Sequence, residues 1–234
     1  MKFSPERKGA GKETATPMVK IKICGITNLD DARASIEAGA DMLGFNFYRP
    51  SPRFIEPKSA RAIIERLRAE IERFSREITT VGVFVNESSP AALISTVDEA
   101  GVDAVQLHGD ESNEFCGALK RLSPDKLLIK VFRVGEEFQT DHATSYNADA
   151  IMLDAYDRNL YGGTGQVIDW PIARKMRELV PRLFISGGLS AKNVSAAIAA
   201  IRPDGVDACS ALESSPGHKD KERVKAFVRA ARGE

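Results

Sequence analysis

Eight short runs of apolar and β-branched residues recur along the chain at nearly even spacing, and this recurrence constrains the fold more than any other feature. They are VKIKIC (19–24), MLGFNF (42–47), TVGVFV (80–85), AVQL (104–107), LLIKVF (127–132), AIMLD (150–154), LFIS (183–186) and GVDA (205–208). Between them lie longer segments of good helix formers with helical apolar spacing, among them DDARASIEAG, SARAIIERLRAEIERF, AALISTVDEAG and AKNVSAAIAAI. Gly39 and Gly101 follow two of these as helix stop signals. Each unit averages roughly 27 residues, the size of one strand–helix step, so a parallel sheet with helices outside it is expected. Eight units predict an α/β protein closed into a single (β/α)8 TIM barrel rather than an open doubly wound sheet.

The length of 234 residues suits such a barrel as one domain. Residues 19–234 are assigned to the barrel. Residues 1–18, polar and rich in Lys, Glu, Gly and Thr, are expected to form a short disordered tail. GAGKET in that tail superficially resembles a phosphate-binding P-loop. No buried strand precedes it, however, and Glu13 stands after Lys12 where Ser or Thr is needed.

Lys+Arg and Asp+Glu both number 33, so the chain lacks the basic bias of a nucleic-acid or membrane-surface binder. No apolar run approaches the about 18 residues that would span a bilayer. Cys24, Cys116 and Cys209 are odd in number and far apart, and His108, His142 and His218 are scattered. Neither a disulfide framework nor a structural zinc is expected. The N-terminal stretch lacks the apolar core of a secretory signal. A cytoplasmic protein without metal or cofactor is the expectation, as a monomer or a homodimer.

In such barrels the chemistry sits at the C-terminal ends of the strands. Those ends carry Cys24 after the first run, Asn46 and Arg53 after the second, and Asn86 after the third. Gln106 and His108 belong to the fourth, Asp154 to the sixth, Gly187 and Gly188 to the seventh, and Asp207 and Ser210 to the eighth. Cys24 reads either as a small buried residue or as a thiolate base, with no partner visible nearby in sequence. Asp154 reads either as a cap or as a general acid whose pKa is raised by partial desolvation. One thiol and one carboxyl across a barrel mouth suit proton transfer, and no G-x-S-x-G elbow competes.

ISGGLSAKN reads as a strand, a Gly-Gly turn and a helix opening near Ser190, a geometry that offers backbone N–H groups to an anion. DACSALESSPG follows the eighth run, and loops after strands seven and eight frequently hold phosphate. A small phosphorylated substrate is therefore expected. Arg53, in the Pro-bounded YRPSPRFIEP, is either solvated or set to grip a substrate carboxylate. The glycine-rich NLYGGTGQVIDW (159–170) reads as a mobile lid or a plain loop.

KICGITNLDDA (22–32), SPRFI (51–55), VGVFVN (81–86), VQLHGDE (105–111), IMLDAY (151–156), YGGTGQVIDW (161–170), FISGGLSAKNV (184–194) and the stretch 205–220 occur in order. Together they resemble the phosphoribosylanthranilate isomerase family of tryptophan biosynthesis, over essentially 19–232. The resemblance implies an Amadori rearrangement of N-(5-phosphoribosyl)anthranilate to 1-(2-carboxyphenylamino)-1-deoxyribulose 5-phosphate, with no cofactor. By position it implies Cys24 as general base, Asp154 as general acid and Arg53 as the partner of the anthranilate carboxylate. Gly187, Gly188, Ser210 and Ala211 match the phosphate loops, Asp207 a ligand-facing aspartate, and Gln106 and His108 the pocket lining. The family commonly shows Ser-Ser-Gly where this chain has Cys209-Ser210-Ala211. A sugar isomerase of the histidine-pathway type, which resembles an aspartate pair, and a catalytically silent phosphate-binding barrel are the rival readings.

Overall fold

The computed structural model describes residues 18–70, 77–135, 138–155 and 169–234. The expected tail, apart from Met18, and the segment 159–168 read as lid or loop lie outside the described residues.

The strands are β1 (Lys20–Ile23), β2 (Met42–Asn46), β3 (Thr79–Phe84), β4 (Ala104–Leu107), β5 (Leu127–Val134), β6 (Ala150–Ala155), β7 (Leu183–Ile185) and β8 (Gly205–Ala208). They pair in parallel in sequence order and close into a barrel, β1 meeting both β2 and β8. The helices between and after them are α1 (Leu29–Ala38), α2 (Pro57–Ala69), α3 (Pro90–Ala100), α4 (Asn113–Leu122), α5 (Thr140–Thr144), α6 (Trp170–Leu179), α7 (Val194–Ile201) and α8 (Lys221–Arg232). A short hairpin, β9 (Glu213–Ser215) and β10 (His218–Lys219), sits between β8 and α8. Among the described residues no helix is long and apolar enough to cross a membrane.

Local chemistry sets the helix ends. The side chains of Asn28, Ser89, Ser112, Asp169 and Asp220 each accept from a first-turn N–H. Gly39 and Gly101 take left-handed φ of 112° and 70° as the stop signals predict. One expectation fails. The helix after β7 opens at Val194 rather than near Ser190, because Asn193 accepts from Ser190 N (2.8 Å) and donates to Gly188 O (2.9 Å). Those two bonds hold 190–193 as a turn.

Strand alternation divides the core into two layers. Outward residues such as Ile21, Ile23, Leu43, Phe45, Leu153 and Val206 pack under the helices. The inward residues Met42, Val81, Ala104, Ile129, Val131, Ala150, Met152 and Phe184 make a second apolar cluster filling the barrel. A methyl group on Gly205 would stand 2.2 Å from Phe184 Cε1, so this glycine makes the room that the ring occupies. Farther along the strands the inward positions turn polar, with Lys22, Gln106, Asp154 and Asp207. Gly44 clears space there, since a Cβ on it would lie 2.8 Å from Cys24 Sγ and 3.0 Å from Lys22 Nζ.

Candidate active site

Cys24 extends β1 by one residue, its N–H bonded to Ala208 O at 3.0 Å, and its side chain is partly exposed at the barrel mouth. Beneath it, wholly enclosed, Lys22 donates to Asp207 Oδ1 at 2.9 Å across the β1–β8 pair. The Cys209 thiol is a hydrogen-bond partner of Cys24. That bond, with the Lys22 and Lys219 ammoniums, holds Cys24 well below the ordinary thiol range despite burial. Cys209 is pushed well above it by the same bond and by burial. Sequence offered Cys24 no partner; closure of the barrel supplies two lysines and a second thiol. Burial pushes Asp207 up to about 6, against the pull of Lys22 and with the Cys24 and Asp154 charges adding to it.

Asp154 stands near the end of β6. Ser186 Oγ donates to its Oδ1 at 2.9 Å, and its Oδ2 lies 3.1 Å from His108 Nε2. Gln106 Nε2 lies 3.2 Å from His108 Nδ1, an arrangement that suits the tautomer in which Nδ1 accepts from the amide and Nε2–H donates to the carboxylate. The expectation of a raised pKa is overturned here. Burial does push Asp154 upward, but the His108, Ser186 and Ala155 N–H donors outweigh it and leave the group below the usual carboxylate value. Gln106 is fully buried and reaches the mouth only through His108; its Oε1 has no partner among the described residues.

Arg53 is neither solvated nor unpaired. It meets Glu213 through Nε (2.9 and 3.1 Å) and Nη2 (2.7 Å), and Glu213 Oε1 also accepts from Lys219 Nζ at 3.0 Å. This pairing aims the guanidinium and leaves Nη1 without a hydrogen bond among the described residues.

At the end of β7, on the same rim, Gly187 and Gly188 have φ of 82° and 65°. A Cβ on Gly187 would lie 2.3 Å from Ala155 N and 2.8 Å from Asp154 Oδ1, so the turn packs against the β6 carboxylate. The N–H groups of Gly187, Gly188, Ser210 and Ala211 donate to nothing among the described residues. Four unspent donors at the ends of the neighbouring strands β7 and β8 are free to face an anion. Ala211 lies in a single 3-10 turn (Ser210–Leu212) outside the left-handed region, so its place needs no glycine. Ala211→Gly is expected to change KM by less than a few-fold and to destabilise the fold by about 0.4–1 kcal/mol, read by denaturant unfolding.

The family model of N-(5'-phosphoribosyl)anthranilate (PRA) isomerase matches residues 21–230. The chain belongs to this family. The isomerase of Pelobacter propionicus is 43% identical over 216 residues, covering 92% of this chain and 96% of that protein. The crystal structure of phosphoribosyl anthranilate isomerase from Thermotoga maritima superposes with a TM-score of 0.82 at 38% identity, covering 93% of this chain and all of that one. A second isomerase structure, in complex with reduced 1-(o-carboxyphenylamino)-1-deoxyribulose 5-phosphate, gives a TM-score of 0.78 at 38% identity with the same coverage.

Several residues of this isomerase site escaped the reading of the sequence. Lys22 carried a signal, a charged residue at an inward position of VKIKIC. Ser186 stood directly after LFI, where strand ends bear chemistry. Cys209, directly after the eighth run, shared that signal; Glu213 and Lys219 had none, because only the β9–β10 hairpin folds them back over the mouth.

Proposed function

We propose that this isomerase converts N-(5'-phosphoribosyl)anthranilate to 1-(2-carboxyphenylamino)-1-deoxyribulose 5-phosphate by general acid–base catalysis, with Cys24 as base and Asp154 as acid. Asp154 protonates the ribose ring oxygen, and the ring opens to a Schiff base. The Cys24 thiolate then removes the proton at ribose C2, and the resulting enolamine tautomerises to the ketone. The observation that carries this reading is a thiol at the end of β1, beside the buried Lys22 ammonium, and a carboxyl near the end of β6 held by His108 and Ser186. Asp154 rests as a carboxylate, and the substrate brings it to the acid form. Phosphate and carboxylate arrive as anions and displace water, and both changes push a neighbouring carboxyl upward.

The phosphate is held by the unspent N–H groups of Gly187, Gly188, Ser210 and Ala211, and the anthranilate carboxylate by Arg53. His108 orients Asp154, and Gln106 fixes the His108 tautomer. The deciding experiment follows the loss of phosphoribosylanthranilate fluorescence with purified protein; protein that leaves the signal unchanged would sink the reading.

Arg53→Ala is expected to act mainly on KM. Charge-assisted bonds contribute about 1.5–3 kcal/mol, so KM should rise by roughly 10–150-fold while kcat changes less. A substrate analogue lacking the carboxylate, turned over equally well by the unmodified enzyme, would remove this role.

A further inference from the structure

We propose that Cys24 and Cys209 form a peroxide-sensitive dithiol at the barrel mouth, which closes reversibly to a disulfide. The parallel register Ile23–Ala208 and the bond from Cys24 N to Ala208 O (3.0 Å) bring the two cysteines side by side as the next residues after neighbouring strands β1 and β8. Adjacent strands run about 4.8 Å apart, within the Cα separations of roughly 4.4–6.8 Å that a disulfide spans. Cys209 Sγ would stand 2.9 Å from a Cβ on Gly25, the residue after Cys24. Both cysteines are partly exposed.

The chemistry is that of an attacking and a resolving thiol. The Cys24 thiolate attacks one oxygen of hydrogen peroxide, the O–O bond breaks, and Cys24 sulfenic acid and hydroxide form. Cys209 then attacks the sulfenic sulfur. The S–S bond forms, the S–O bond breaks and the oxygen leaves as water, so two thiols are oxidised as one peroxide is reduced to two waters. Cys209 Sγ lies 3.7 Å from both Glu213 Oε1 and Lys219 Nζ. The first can take the thiol proton, and the second can steady the thiolate as it attacks. Cys116, wholly buried and pushed up to about 11 by that burial, serves as an internal control.

Only the activity readout of the test rests on Cys24 being the base. Reduced protein is treated with one equivalent of hydrogen peroxide and mapped by peptide mass. The expected result is a cross-linked pair of peptides carrying Cys24 and Cys209, two hydrogens lighter, with Cys116 unchanged. The kcat/KM should fall about 100-fold or more and return with dithiothreitol. In Cys209→Ser, measured against its own untreated activity, Cys24 should pass to sulfinic acid, and the loss should persist after dithiothreitol. Oxidation of Cys24 without the cross-link, a cross-link to Cys116, or no reaction at all would overturn the proposal. An untreated protein that does not isomerise the substrate would instead count against the proposed function, leaving the mass readout to judge the thiol pair.

Discussion

Cys24→Ala is expected to lower kcat/KM by about 10²–10⁴-fold while leaving affinity for the product nearly unchanged. The thiol contributes through a proton it removes in the transition state, so its loss touches the barrier far more than the bound ground state. Alanine removes one sulfur from a partly exposed mouth and breaks no backbone bond, so the fold should survive. Cys24→Ser separates acidity from bulk. A hydroxyl fills nearly the same space but does not ionise under the Lys22 and Lys219 charges as a thiol does, and its rate should fall almost as far. Alkylation by iodoacetamide gives an independent readout. An ordinary thiol loses reactivity as pH falls through about 8.5, its unperturbed pKa. Cys24 ionises well below that range, so its alkylation rate should hold a plateau through neutrality and drop only at more acidic pH. Full kcat in Cys24→Ala, or alkylation that follows an ordinary thiol, would end the assignment.

The barrel was legible because its determinants are local and repeated. Eight β-branched runs, helix formers between them and stop glycines such as Gly39 and Gly101 all act within a few residues of themselves, and the strands fall within about two residues of the runs. The site was legible only as strand ends. Cys24, Asp154 and Asp207 each stood at the close of an apolar run, which places them at the mouth without telling what surrounds them. Their ionisation depends on neighbours that are remote in sequence. Lys22 meets Asp207 across the barrel seam, Cys209 meets Cys24, and His108 with Ser186 encloses Asp154. Desolvation alone predicts an acid with a raised pKa at position 154. Three donors brought in by β4, β6 and β7 reverse the sign. Arg53 shows the same limit: its loop was legible, but Glu213, which aims it, lies 160 residues away.

Asp154→Asn is expected to lower kcat by about 10²–10⁴-fold, because an amide cannot deliver a proton to the ring oxygen. The surrounding network can accommodate the change. Ser186 Oγ can still donate to the amide oxygen, while the amide nitrogen faces His108 Nε2 and drives the ring proton to Nδ1. Gln106 then turns its unpartnered Oε1 toward Nδ1, so the buried acceptor left over in the native arrangement gains a donor. Loss of rate with a nearly unchanged unfolding midpoint is therefore the expected pair of results. The step can be assigned with substrate deuterated at ribose C2. Without its acid the enzyme stalls at ring opening, so the isotope effect on kcat should shrink in Asp154→Asn and persist in Cys24→Ser, where proton removal is the slow step. The pH profile carries the same logic. The reacting complex needs Cys24 as thiolate and Asp154 as acid, and in the free enzyme both groups lie below their ordinary values. The bell in kcat/KM should then lie on the acid side of the ordinary thiol range, falling as Asp154 loses its proton and again as Cys24 gains one. A rate flat from about pH 5 to 10, or an Asp154→Asn enzyme with full kcat and an undiminished isotope effect, would remove Asp154 from the mechanism.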